Sequence, residues 1–256
     1  MANASLIENF LESLASEKGL SKNTIQSYGL DIKQCLKITK LNIDKISSKN
    51  LNLDIEKYVA SLNAKGFERS TVLRKISALG HFFNFLVEEE ILESNPIKKI
   101  NIPKKSSKLP TFLTNTQIDR LLKAAREDKS NGGIRFLVML EILYSTGIRI
   151  TELINLRISA LYEKKNFLLI YGKGNKERLV PIDKNTLGTI ENYLKIRELF
   201  IKNKNDQKWL FPSKNSKLGH ISRQRFNQLL KELTIKVGIE EKLSLIHISE
   251  PTRHLF

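Results

Sequence analysis

The sequence predicts a mainly α-helical protein with one small β-sheet, divided into two domains. Three observations carry this reading. Apolar residues recur at helical spacing through most of the 256 residues. The period shifts to a strand-like run only once, between Asn166 and Ile182. A lysine- and proline-bearing stretch at 94–110 interrupts the helical pattern and separates two halves that each hold enough apolar material for a core.

The first half reads as four helices. Ile7, Phe10, Leu11 and Leu14 are spaced for one buried face, and Gly19 is a natural stop. Ser21 can cap the next helix, which carries Thr24, Ile25, Tyr28, Ile32 and Leu36. A third helix is predicted from Asp54 to Ala64, ending at Gly66. Ser70 is a candidate cap for a fourth, Thr71 to Glu88. There Val72, Ile76, Leu79, Phe83 and Leu86 fall within one narrow arc at about 100° per residue. Ser70, Arg74, Ser77 and His81 lie opposite, a stripe that fits a phosphate backbone or an ordinary solvated face.

Ser94-Asn95-Pro96 ends the helical pattern, because the residue before proline is pushed away from the α region. Lys98, Lys99, Lys104, Lys105 and Lys108 follow with no acid among them, so the segment reads as a basic tether that can track phosphates. The second half starts near Phe112. Thr114 with Gln117 forms a capping-box pattern for a helix from Thr116 to Glu127. A buried helix follows from Ile134 to Ser145, broken at Thr146-Gly147, and another spans Arg149 to Leu156. Asn166–Tyr171 and Glu177–Ile182, joined by a glycine-bearing turn, predict a β-hairpin. Helices are expected over Lys184–Phe200 and Ser222–Val237, with Trp209-Leu210-Phe211-Pro212 as an apolar plug between them.

Composition narrows the function. Lys and Arg number 43 against 27 Asp and Glu, a net charge of +16. That excess on a folded chain points to a polyanion: DNA, RNA or an anionic membrane face. A Lys/Ile/Asn bias alone would also raise the charge, so the balance is suggestive and not sufficient. The single cysteine, Cys35, excludes a disulfide scaffold and fits a reducing cytoplasm. With one Cys and four His, a structural zinc site is not expected. Phe136–Tyr144, the most apolar stretch, is too short to span a bilayer and contains Glu141, and Glu8 and Glu12 break any signal-peptide pattern.

Two segments carry candidate chemistry. In Ser145-Thr146-Gly147-Ile148-Arg149-Ile150-Thr151-Glu152-Leu153, an arginine follows a glycine break at a helix start, where its forked donors can grip an anion. Glu152 lies three residues on and can orient it. In Tyr171-Gly172-Lys173-Gly174-Asn175-Lys176-Glu177-Arg178, two glycines permit a tight turn, Lys173 is a mobile cation, and Lys176 and Arg178 add phosphate-binding charge. The Walker A spacing is absent.

Together TGIR-x-TEL and GKG-N-KER-x-VP, with Arg149 and Lys173 twenty-four residues apart, resemble the tyrosine recombinases, specifically the Xer site-specific recombinases. Leu20-Ser21-Lys22-Asn23-Thr24 with Tyr28 and Asp31, the Ser70-to-Leu86 helix, Asn95-Pro96 and Lys108-Leu109-Pro110 are similar to the same family, so the resemblance runs from about Ile7 to Lys242. It implies a helical, SAM-like core-binding domain at 1–93, a basic linker at 94–110 and a catalytic domain of the DNA breaking-rejoining fold at 111–242, incomplete at its C-terminus. It implies a tyrosine that attacks a phosphodiester to form a 3′-phosphotyrosyl intermediate, without metal or other cofactor. Arg149 then grips the scissile phosphate, Lys173 is the general acid for the leaving 5′-oxygen, and Glu152 supports Arg149 from behind. Lys22, Thr24, Ser70, Arg74, Lys75, Ser77, Lys176, Arg178 and Arg223 are the implied DNA-binding residues. The implied partners are double-stranded DNA, a homo- or hetero-tetramer with a paralogous recombinase and a septal DNA translocase as activator, in the bacterial cytoplasm and off the membrane. The implied task is resolution of chromosome dimers at cell division. A phage or mobile-element integrase shares the chemistry, but its usual extra arm-binding domain has no counterpart before the core-binding pattern here.

One part departs from the family. Where a His-x-x-Arg motif is due, His247 is followed at the third position by Glu250, and no tyrosine occurs after Tyr193. Tyr193 lies upstream in a helical pattern and is rejected as nucleophile. Leu243–Arg253 reads LSLIHISEPTR, the in-frame translation of a transposon-end sequencing adapter, so residues 243–256 are expected to be non-native and His247, Arg253 and His254 to carry no function. The polypeptide is then expected to bind DNA and not to cleave it. Two other classes are disfavoured: an inactive DNA-binding protein, because two dispersed catalytic-type residues are both present, and a generic basic nucleic-acid-binding or ribosomal protein, because of the linker and hairpin constellation.

Overall fold

The structure is a computed structural model that describes residues 2–41, 43, 48–100, 113–162, 166–172 and 176–239. The chain divides into two compact units, residues 1–107 and 108–256.

The first unit holds four helices: α1 (Ala2–Ser16), α2 (Lys22–Thr39), α3 (Ser48–Ala64) and α4 (Arg69–Glu88). Its core gathers Ile7, Phe10 and Leu14 of α1, Ile32 and Leu36 of α2, Ile55, Tyr58 and Leu62 of α3, and the apolar arc of α4. Ser21 caps α2 as its position predicts, its hydroxyl accepting the Thr24 N–H. Helix α3 starts six residues before the expected Asp54, because Leu51, one turn before Ile55, is also buried. Helix α4 starts at Arg69, with Glu68 at the cap and no side-chain cap bond, so Ser70 lies inside the first turn and caps nothing. The buried face of α4 is wider than the predicted arc and also takes in Ala78, Phe82 and Phe85. Phe10 packs edge-on against Phe82, ring centres 5.3 Å apart.

The expected linker is partly structure. Pro96–Lys99 forms a 3₁₀ turn whose Ile97 is buried in the first core. Asn95 fastens it, donating to Gly80 O (2.9 Å) and accepting from Ile97 N (2.9 Å). Its later lysines, Lys104, Lys105 and Lys108, lie outside the described residues.

The second unit runs α5 (Asn115–Glu127), α6 (Asn131–Thr146), α7 (Ile150–Ile154), β1 (Leu161–Tyr162), β2 (Phe167–Tyr171), β3 (Glu177–Pro181), α8 (Lys184–Leu194) and α9 (Arg223–Lys236). Both halves of the Thr114–Gln117 capping box are present. Helix α6 is the apolar spine, with Phe136, Val138, Met139, Leu140, Ile142 and Leu143 buried, and it stops at Gly147, whose φ of 62° is left-handed. The predicted hairpin is β2–β3, and β1 adds an unpredicted third strand in the antiparallel order β1-β2-β3. Leu168 and Ile170 of β2 face the core opposite Val180 and Arg178 of β3. The helix expected to reach Phe200 ends at Leu194 and gives way to a 3₁₀ turn, Arg197–Phe200. Leu210 and Phe211 of the apolar plug are fully buried. The plug's carbonyls are held from α6 and the α8 end: Arg135 donates to Pro212 O, Arg197 to Trp209 O, and the Tyr193 hydroxyl to Leu210 O (3.0 Å).

Candidate active site and nucleic-acid interface

The left-handed turn at Gly147 lets the chain leave the buried end of α6 and enter α7 two residues later, which puts Arg149 at the cap of α7. The Arg149 backbone N–H donates to Glu152 Oε2 (2.8 Å) and its Nη1 to Oε1 (3.2 Å). The Glu152 side chain is only 6% exposed, whereas that of Arg149 is 67% exposed. A buried carboxylate thus anchors a guanidinium that projects to solvent. Helix α7 has five residues, so the charge offered here is that of Arg149 itself and not of a helix end.

The hairpin reaches the same carboxylate. Arg178, on the inward face of β3, donates from Nη1 to Oε1 (3.0 Å) and from Nη2 to Oε2 (2.7 Å), a two-point clasp. Gly172 closes the end of β2 and lies against this pair; a Cβ there would sit 3.1 Å from Arg178 Nη1. Burial alone would raise the Glu152 carboxyl, but hydrogen bonds from Arg178 and Arg149 and the Arg178 charge outweigh it and hold the group below its ordinary range. The same bonds raise Arg178 further. Arg178, expected to offer phosphate-binding charge, commits two of its donors to Glu152, with its side chain 40% exposed. Lys173 lies outside the described residues, between Gly172 and Lys176. Lys176 is exposed at the hairpin, and Arg223 is exposed at the first position of α9 with no ion pair among the described residues.

In the first unit, Ser70, Arg74 and Ser77 are exposed along α4, and His81 is half-buried, its ring stacked on Tyr28 of α2 at 5.7 Å. Lys22 is exposed at the start of α2, and half-buried Thr24 hydrogen-bonds Ser21 (2.8 Å). Lys75 departs from the DNA-facing set. It is buried, its Nζ 2.7 Å from Asp31 Oδ1, also donating to Gln34 Oε1, with the Phe67 ring centre 5.8 Å away. The other oxygen of Asp31 accepts from Arg74 Nη1.

Tyr193 is fully buried, with its hydroxyl engaged by Leu210 O and its acidity reduced by burial, so it cannot act as a nucleophile. No helix of the described residues is long and apolar enough to cross a membrane. Residues 243–256 lie outside the described residues.

The first unit is thus a four-helix body with Arg74 exposed between Ser70 and Ser77, and the second is a helical unit that projects Arg149 beside a short antiparallel sheet. The description "Phage integrase family" matches residues 111–255, and "Phage integrase, N-terminal SAM-like domain" matches residues 7–90. The first match therefore runs through the stretch expected to be non-native. Tyrosine recombinase XerD of Rhizobium meliloti (strain 1021) is 34% identical over 260 residues, which cover 99% of this chain and 81% of that protein. Tyrosine recombinase XerD of Oceanobacillus iheyensis is 36% identical over 239 residues, covering 91% of this chain and 78% of that protein. The crystal structure of a lambda integrase(75-356) dimer bound to a COC' core site shares the fold at TM-score 0.71 and 15% identity, over 98% of this chain and 88% of that chain. The chain belongs to the phage integrase family, that of the tyrosine recombinases.

Proposed function

We propose that this protein is a site-specific recombinase that cuts and rejoins duplex DNA, with Arg149 gripping the scissile phosphate and Lys173 protonating the leaving 5′-oxygen. The observation that carries the reading is the exposed Arg149 guanidinium anchored on buried Glu152, with strand β3 clasped to the same carboxylate through Arg178. Two cations converging on one phosphate stabilise the negative charge of a pentacoordinate phosphorane. A 3′-phosphotyrosyl link conserves the bond energy for rejoining, so the chemistry requires neither metal nor nucleotide cofactor. Glu152 supports Arg149 and does not touch the phosphate.

Lys22, Thr24, Ser70, Arg74 and Ser77 of the first unit, and Lys176 and Arg223 of the second, form the DNA-contacting set in this reading. Relatives called tyrosine recombinase XerD match nearly the whole chain, which supports resolution of chromosome dimers at cell division as the task. The active assembly is then a tetramer on two duplexes, with a paralogous recombinase or copies of itself, activated by a septal DNA translocase in the cytoplasm.

Selection from a random duplex library at moderate salt tests the reading, because non-specific binding falls steeply with salt while base readout persists. The expected product is one enriched sequence with two-fold symmetry, bound at least about 1,000-fold more tightly than random duplex. Binding that is equal across sequences and vanishes with salt would leave only a generic basic protein.

A further inference from the structure

The stripe on α4 has a feature that its charge count does not explain. A surface meeting a polyanion gains nothing from a carboxylate, yet Asp31 of α2 lies beneath this one and takes hold of its arginine. We propose that Asp31 is a positioning residue for DNA binding: its buried carboxylate fixes the Arg74 guanidinium on the outer face of α4, while Lys75 cancels the charge that Asp31 brings. The inference rests on duplex binding by the first unit, as proposed above.

The geometry divides the work cleanly. The Asp31 side chain is 4% exposed and both its oxygens are engaged, Oδ1 by Lys75 and Oδ2 by Arg74. Lys75 is 7% exposed and Arg74 is 44% exposed. One cation therefore faces inward and neutralises the acid, and the other faces outward and keeps its charge for a ligand. Arg74 commits only Nη1; among the described residues Nε and Nη2 have no partner. Those two donors are the ones needed to grip phosphate oxygens. Ser70 and Ser77, one turn to either side, are small and exposed, so neither obstructs approach to the fork. An unheld arginine loses rotamer freedom when it binds, whereas one already held loses much less. Had Asp31 served only as counter-ion to Lys75, its second oxygen would have needed no half-exposed partner forty-three residues away.

Fluorescence anisotropy of the intact chain on a mixed-sequence duplex of about 30 base pairs, between about 50 and 200 mM salt, tests the proposal. Arg74→Ala is expected to weaken binding about tenfold and to lower the slope of log K against log salt by about one. The double variant Asp31→Leu/Lys75→Met keeps the wild-type net charge and exchanges a buried ion pair for apolar side chains. It is expected to bind about three- to tenfold more weakly, and adding Arg74→Ala in that background should cost no more than about twofold. A double variant that binds like wild type, with the full Arg74→Ala loss intact, overturns the proposal. NMR relaxation of guanidinium groups in the unaltered chain provides a second readout that requires no substitution. Arg74 should rotate slowly compared with Arg223, and equal mobility of the two would also overturn it. Failure of the wild-type chain to bind any duplex would instead overturn the parent reading, and the positioning role with it.

Discussion

Asp31 and Glu152 each hold two cations from a buried position, one in each unit, but the clusters follow opposite plans. In the first unit one cation, Lys75, is buried with the acid, and both cations are adjacent residues of α4, more than forty residues from the acid on α2. In the second unit both cations stay in contact with solvent, Arg149 67% and Arg178 40% exposed, and one of them is only three residues from the acid. The contrast shows that burial of the carboxylate does not by itself set its importance for stability. The place of the cations does, because an ammonium left buried without a counter-ion cannot recover its hydration, whereas an exposed guanidinium can.

The largest expected effect follows directly. Asp31→Asn strands Lys75 and should destabilise the first unit by about 3–5 kcal/mol in urea unfolding followed by circular dichroism. Glu152→Gln releases two arginines to water and weakens the start of α7, and should cost the second unit only about 1–2 kcal/mol. Trp209, the sole tryptophan, reports that unit by fluorescence. Equal losses at the two sites would break the comparison. Acid sharpens it. Glu152 has its carboxyl held below the ordinary value of 4.5, so its contribution is complete above that value and is lost as pH falls through the lower folded value. Wild-type and Glu152→Gln unfolding curves should therefore converge in strong acid and separate again near neutrality. The smallest effect is expected for Gly172→Ala. The new methyl would meet the Arg178 guanidinium at 3.1 Å, against a gain from restricting the unfolded chain, for a net change within about 0.5 kcal/mol in the same fluorescence assay.

What the sequence disclosed about these clusters follows their spacing. Arg149 and Glu152 lie one helical turn apart after a glycine stop, so their pairing was legible, as were most of the helices and the hairpin. Arg178 is twenty-six residues from Glu152, and local pattern reads it as one more surface cation. Strand alternation held the missing signal: Val180 and Arg178 share the face that β2 fills with Leu168 and Ile170. Lys75 held a similar one. At about 100° per residue it falls only about 20° from Leu86, at the edge of the apolar arc, where a long side chain can turn inward if an acid is waiting. That acid comes from another helix, forty-four residues away, a distance over which periodicity says nothing.

The pairing of Ile170 with Arg178 also dictates which hairpins evolution or a library can try. Side chains in a strand alternate, so one residue inserted or deleted within β3 between Arg178 and Pro181 turns the guanidinium to the opposite face and breaks the clasp on Glu152. Strand β3 must therefore be inherited in register, because parity along it decides which side chain meets Glu152.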